Sequence, residues 1–271
     1  HVGPFDVQPD FEREFFMYKK LNNSKSVYVN RVQIEMRPGS HHFIGYLLDS
    51  SRPLFSLAKR FFVPNRIRDL HLPNGDDDPL VLASMTYHDF FAGTQTPRYD
   101  YEFPKGVALR LPANTGLDLN THYVNRSEEA FEGEVYMNLH TVEKSDVKHE
   151  AKIINFNNTD IELPPNKITM VTRDFRATEK MNIFQLFSHS HEKSVEFRVE
   201  IAGGKRDGEL LYISYDWEHP PVMKFDPPLV VNRGETIRLK ATYDNWTDEI
   251  VTFGFRSTDE MMILFGAYYT D

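Results

Sequence analysis

Cysteine is absent from the 271 residues. That absence excludes disulfides, thiolate zinc sites and cysteine nucleophiles together. Positive charge is in deficit: 31 Lys and Arg stand against 40 Asp and Glu, a net charge of −9. A nucleic-acid binder needs a basic footprint to neutralise phosphates, so that class is excluded. No apolar run approaches the ~20 residues that a membrane helix requires. The longest, residues 261–269, is of strand length. No signal peptide opens the chain, which reads as mature, trimmed or never exported. Helical periodicity is scarce, with residues 55–62 offering one short turn at most.

What the sequence has is apolar and aromatic. Hydrophobic residues make up 40% and aromatics 13%, with 21 Phe and 13 Tyr. That content fills a core and excludes global disorder. Residues 195–201, Val-Glu-Phe-Arg-Val-Glu-Ile, alternate apolar and polar as a half-buried strand does. Val32, Ile34 and Met36 share one face of a second strand. Ile237, Leu239 and Ala241 share one face of a third. Residues 261–269 are apolar on both faces and read as a central strand. Many short strands separated by turn residues indicate an all-β sandwich or jelly roll. The length suggests roughly two domains. Residues 143–149, Glu-Lys-Ser-Asp-Val-Lys-His, form a polar seam, giving domains 1–146 and 147–271.

Several features read as ordinary structure. Residues 203–208 form a hairpin turn; no helix follows its glycines, so it is no phosphate cradle. Asp76, Asp77 and Asp78 read as a solvated loop. His71, His88, His140 and His149 lack a partner at ligand spacing and read as surface residues, and His219 as structural. His1 reads as the end of a trimmed chain. Asn22, Asn125, Asn157 and Asn245 are Asn-x-Ser/Thr sequons, which matter only in a eukaryotic secretory pathway.

Three histidine groups carry candidate chemistry. His41 and His42 follow the turn Pro38-Gly39-Ser40. Neighbours in a regular strand point to opposite faces. The pair shares one ion only if the backbone is irregular there or different ring nitrogens are used; otherwise it decorates the surface. His122 falls on a polar strand face with Asp118 and Asn120, opposite Leu117 and Leu119; a lone histidine there is ordinarily solvated. His189-Ser190-His191 sets two rings on one face, the spacing two ligands of one ion need. Its other reading is a partly buried pair bonded to backbone. Met261 is core filler by default. Beside two imidazoles it would complete a soft donor set that suits copper, Cu(I) especially.

In chain order, these pieces resemble a known family. They are His41-His42, Phe103-Pro104-Lys105-Gly106-Val107, Asn120-Thr121-His122-Tyr123, His189-Ser190-His191, Glu218-His219-Pro220, and Ser257-Thr258-Asp259-Glu260-Met261 with Tyr268-Tyr269. The ordered set spans nearly the whole chain. It resembles the copper type II, ascorbate-dependent monooxygenases, the group of peptidylglycine α-hydroxylating and dopamine β-monooxygenase, as a cysteine-free, bacterial member. The resemblance implies two tandem jelly-roll domains with one copper each. His41, His42 and His122 would form the electron-storing site of the N-terminal domain. His189, His191 and Met261 would form the catalytic site of the C-terminal one. It implies an oxidoreductase that hydroxylates an activated C–H bond with O2. Ascorbate or another one-electron reductant would be co-substrate, the substrate would be a small molecule or peptide, and the location would be extracytoplasmic: periplasmic, secreted or surface.

One departure bears on the expected substrate. The family's amidating enzyme holds a peptide carboxylate with an arginine before the H-x-H pair and with a tyrosine and an asparagine after the methionine. Those positions are Phe187, Phe265 and Ile263 here. No bidentate carboxylate clamp can be built from them. The resemblance therefore implies an apolar pocket and a substrate other than a peptidylglycine. Two other readings stand beside the hydroxylase: a non-catalytic copper- or ligand-binding double jelly roll, and a glycan-processing protein with carboxylates in its cleft.

Overall fold

A computed structural model describes all 271 residues. Strands hold 56% of them and helices 7%. The protein is all-β and consists of two tandem jelly-roll domains. One compact unit comprises His1–Phe103 with Ala108–Val147; the other comprises Lys148–Asp271 with Pro104–Val107. No helix is long and apolar enough to cross a membrane.

In the first unit the strands are β1 (Val2–Val7), β2 (Phe11–Lys20), β3 (Val27–Met36), β4 (Ser40–Leu48), β5 (Ile67–Asp69), β6 (His88–Thr94), β7 (Arg98–Glu102), β8 (Val107–Leu111), β9 (Gly116–Asn125) and β10 (Phe131–Val142). One sheet runs β1-β10-β3-β8, with β7 also on β3; the other runs β5-β2-β9-β4-β6. In β9, Leu117, Leu119, Thr121 and Tyr123 alternate with Asp118, Asn120 and His122, and all seven are buried. Period-2 alternation assigns the two sets to opposite faces. The polar face is thus buried as well, against the expectation that His122 is solvated.

Helix α1 (Phe55–Ala58) is the short turn its sequence suggests. Helix α2 (Pro79–Met85) is not foreseen by the acidic run before it. Asp78 does not sit in a solvated loop. Its carboxylate accepts from the amides of Leu80 at 2.8 Å and Val81 at 3.4 Å, with Pro79 in the first turn. A carboxylate at that position satisfies amides that have no partner within the helix, and proline there gives up no hydrogen bond.

The second unit contains β11 (His149–Glu150), β12 (Lys152–Asn157), β13 (Glu162–Leu163), β14 (Lys167–Arg176), β15 (Met181–His189), β16 (Ser194–Ala202), β17 (Leu210–Ser214), β18 (Met223–Val231), β19 (Thr236–Asn245), β20 (Val251–Thr252) and β21 (Ile263–Tyr269). Its sheets are β12-β21-β15-β18 and β14-β19-β16-β17, with a short β13-β20 ladder. Leu186, Phe197, Val199, Ile201, Leu239, Tyr243, Met262 and Leu264 belong to one core. Each fully buried aliphatic or aromatic side chain of this kind contributes about 1.5–3 kcal/mol. With no cysteine, that packing is what holds the unit.

Strand β21 is central, as its two apolar faces require, but it begins at Ile263; Met261 and Met262 precede it. Strict alternation in β16 breaks at its start. The register passes from Ser194↔Tyr243 to Glu196↔Thr242, leaving Val195 unopposed and 43% exposed. Residues 203–208 join the antiparallel pair β16 and β17, the hairpin that the glycines indicate.

One side-chain turn recurs in both units. Asn125 ends β9; its Nδ2 donates to the Glu129 carbonyl at 2.8 Å, and its Oδ1 accepts from the Ser127 amide at 2.9 Å and hydroxyl at 2.7 Å. Asn245 ends β19 and repeats this with Glu249 at 2.8 Å and Thr247 at 3.1 and 2.7 Å. The Asn-x-Ser/Thr pattern at these two positions is therefore turn chemistry. Both asparagines are at most 2% exposed, and their amide nitrogens are already committed to backbone carbonyls.

Candidate metal centre

Strand β9 lies between β2 and β4. Its His122 is opposite Glu14 of β2 and His42 of β4. Three neighbouring strands thus present one donor residue each at a single level. The β4 register then shifts: Ser40 faces Tyr123 and His42 faces His122, so His41 is an extra residue. Such a bulge re-aims a side chain that a regular ladder would send to the other face. The His41 ring centroid lies 4.9 Å from that of His122 and 5.3 Å from that of His42; His42 and His122 are 4.8 Å apart. The backbone is irregular at the pair, one of the two conditions under which adjacent histidines can share an ion, and both rings lie 4.9 and 4.8 Å from that of His122 by centroid. Gly39 leads into it at φ +87°, a conformation that favours glycine, and a Cβ there would collide with the Phe131 ring. All three histidines are buried, at 5%, 6% and 0% exposure.

The hydrogen bonds fix which ring nitrogens carry the lone pairs. Asn120 Nδ2 donates to Glu14 Oε1 at 2.9 Å, so Asn120 Oδ1 is the acceptor towards His42. The Nε2–H of His42 donates to it at 2.6 Å, leaving the lone pair on Nδ1. Likewise, Nε2–H of His122 donates to Glu12 Oε1 at 2.7 Å. A carboxylate behind a ligating imidazole fixes its tautomer and raises its basicity. His122 Nδ1 and Glu14 Oε2 are buried, make no hydrogen bond, and lie 3.8 Å from each other. The donor atoms of Glu14, His42 and His122 all lie within 4.8 Å of one another. Burial pushes the Glu14 carboxyl up, but the His122 and His42 rings outweigh it and hold it at about 2. Burial pushes the His122 imidazole down; Glu14 and Glu12 reverse this and raise it above its ordinary value.

Glu12, Glu14 and Asn120 are absent from the sequence-based site. The alternation of Glu12 and Glu14 puts two carboxylates on one strand face, but only the β2–β9 register brings them to His122. Farther along this face, Asp118 accepts from Arg68 and from His88 Nε2 at 2.8 Å. His88 is not a surface residue as expected. Its side chain is 4% exposed, its ring stacks on Tyr46 with centroids 4.6 Å apart, and a buried carboxylate gives it a partner.

The second candidate set lies at the end of β15. Phe187 is opposite Phe265 and His189 opposite Ile263. The ladder ends at that pair, and His191 and Met261 lie just beyond the two strands. Phe187, His189, Ile263 and Phe265 share one face, by alternation. The His189 and His191 ring centroids are 5.1 Å apart. His191 Nδ1–H donates to the Asp259 carbonyl at 3.2 Å, so its lone pair is on Nε2. Met262 packs in the domain core and is fully buried, whereas Met261 is 7% exposed. Phe187 and Phe265 stack with centroids 5.4 Å apart, and with Ile263 they are at most 8% exposed. Glu260 ties the segments together. It accepts from the amides of His191 at 3.1 Å, Lys193 at 2.7 Å and Met261 at 3.2 Å. Burial pushes this carboxyl up to about 8, against those three donors.

No protein-family model matches the chain, and no curated protein matches it. Among solved structures it is similar to the STIV MCP, with 7% identity and a TM-score of 0.41; the match covers 99% of this chain and 97% of that one. It is also similar to the major capsid protein P2 from bacteriophage PM2, with 10% identity, a TM-score of 0.35 and coverage of 96% and 98%. The expected activity is corrected here: both of these structural neighbours are capsid proteins. The copper- and O2-dependent hydroxylase, with its oxidoreductase, monooxygenase and ascorbate-dependent character, is withdrawn on that finding. The physical reason is general. A jelly roll is a scaffold that hosts unrelated functions, so residue order along it does not establish turnover.

Proposed function

We propose that the chain is a transition-metal-binding protein whose N-terminal centre is built on His41, His42 and His122, with copper as the ion to test first. The observation that carries this reading is the β4 bulge. It turns two sequence-adjacent imidazoles towards a third, and the hydrogen bonds leave lone pairs on Nδ1 of both His42 and His122. Imidazole nitrogen is a ligand for copper in both of its common oxidation states. His189, His191 and Met261 are proposed as a second, softer donor set, through the 5.1 Å approach of the two rings, the lone pair on His191 Nε2 and the tie that Glu260 makes between the His191 and Met261 amides.

Copper titration of the chelator-stripped protein tests this. Two ions per chain are expected, and His122→Ala should lower the stoichiometry to one. Unchanged copper content in that variant would refute the N-terminal assignment.

A further inference from the structure

We infer that Glu14 is itself a ligand of the N-terminal centre, which makes the centre a mixed imidazole–carboxylate site selective for a divalent ion over Cu(I). This rests on the metal-binding reading above and specifies the chemistry of the same centre. Glu14 is 4% exposed and stands opposite His122 across the β2–β9 ladder. Its two oxygens are treated differently. Oε1 accepts the Asn120 amide at 2.9 Å and lies 3.6 Å from His42 Nε2. Oε2 is buried and accepts no hydrogen bond. An ionised carboxylate oxygen left so is costly unless something positive meets it. The atom facing it, His122 Nδ1 at 3.8 Å, also makes no hydrogen bond.

One ion can satisfy both atoms. Bonds of about 2.0–2.2 Å to nitrogen and oxygen let two donors on one ion stand up to roughly 4.2 Å apart. The 3.8 Å separation is within that reach and too long for a hydrogen bond. The competing account is an ion pair between Glu14 and protonated His122. It leaves both atoms without a hydrogen bond. The ligand account removes both deficits and uses the tautomer that Glu12 imposes. A charged, hard oxygen favours the divalent ion; the soft monovalent Cu(I) gains little from it.

The experiment uses the full chain carrying His191→Ala, so that only this centre is read. Zn2+ affinity is measured by calorimetry, and Cu(I) affinity by competition with a chromogenic chelator, with and without Glu14→Gln. Glu14→Gln should weaken Zn2+ binding at least tenfold and change Cu(I) binding less than threefold. Difference infrared spectra on adding Zn2+ to the Glu14-containing chain should show a shifted carboxylate stretch, and this arm decides if Glu14→Gln does not fold. A chain that binds neither ion overturns the metal-binding reading itself. Metal binding with equal Zn2+ affinity in Glu14→Gln, or with no carboxylate shift, overturns only the role of Glu14.

Discussion

Asn245→Ala should cost the C-terminal domain about 3 kcal/mol, and the figure can be worked from the turn. The Asn245 side chain donates to the carbonyls of Leu163 at 3.0 Å, Pro164 at 3.1 Å and Glu249 at 2.8 Å, and accepts twice from Thr247. A hydrogen bond contributes about 1 kcal/mol net, and a buried group left unpaired costs about 1–3 kcal/mol. The Leu163 bond is fully buried and carries the larger penalty; the others lie nearer the surface, where water replaces part of the loss. Both tryptophans, Trp217 and Trp246, belong to this unit, so fluorescence during urea unfolding reports it selectively. At slopes of roughly 1–3 kcal/mol per molar urea, the midpoint should fall by about 1–3 M. Asn125→Ala breaks the equivalent N-terminal turn and should leave the tryptophan midpoint in place while moving an early phase of the far-UV signal. A loss below about 1 kcal/mol in Asn245→Ala would refute the claim that this side chain, rather than the ladder around it, holds the turn.

Two further outcomes are expected. The metal-free protein should lose stability as pH rises from about 4.5 to about 8: unfolded Glu260 gives up its proton near 4.5 while the folded carboxyl keeps it to about 8, a difference of at most about 5 kcal/mol. Thermal unfolding across that range should show the slope in the wild type and its reduction in Glu260→Gln; equal slopes would sink the assignment. Met262→Leu is close to volume-conserving and should cost under ~1.5 kcal/mol without altering copper content, whereas Met261→Leu should abolish any copper–sulfur contact seen by X-ray absorption; the reverse pattern would exchange the two methionines.

The fold was legible because period-2 alternation is local. The faces of Val32, Ile34 and Met36 and of Ile237, Leu239 and Ala241 can be seen in a few residues. Helix α2 was hidden because its cap sits in an acidic run that looks solvated and its seven residues carry little periodicity. Burial of His122 and His88 was not legible either. Alternation says which face a residue is on; it does not say whether that face is covered. Glu14 shows the same limit more sharply. Its value as a ligand depends on the β2–β9 register, a pairing across more than a hundred residues that no local pattern encodes.

Each candidate donor set lies where a ladder is interrupted, and there is a physical reason for that. Inside a regular ladder, adjacent side chains diverge and only alternate ones share a face. Three donors on one ion need at least one departure from that rule or a neighbouring strand in close register. The N-terminal centre uses both: the bulge redirects His41, and β2 and β4 flank His122. In the C-terminal set the ladder ends instead. His191 and Met261 both lie outside named strands, where nothing in the sheet would hold them. Glu260 supplies the missing constraint by accepting the backbone amides of His191, Lys193 and Met261 on one carboxyl group. Its amide bonds hold the two segments together where the ladder no longer does. This makes Glu260 a positioning residue, and it explains why a carboxyl pushed up by burial is kept in the interior.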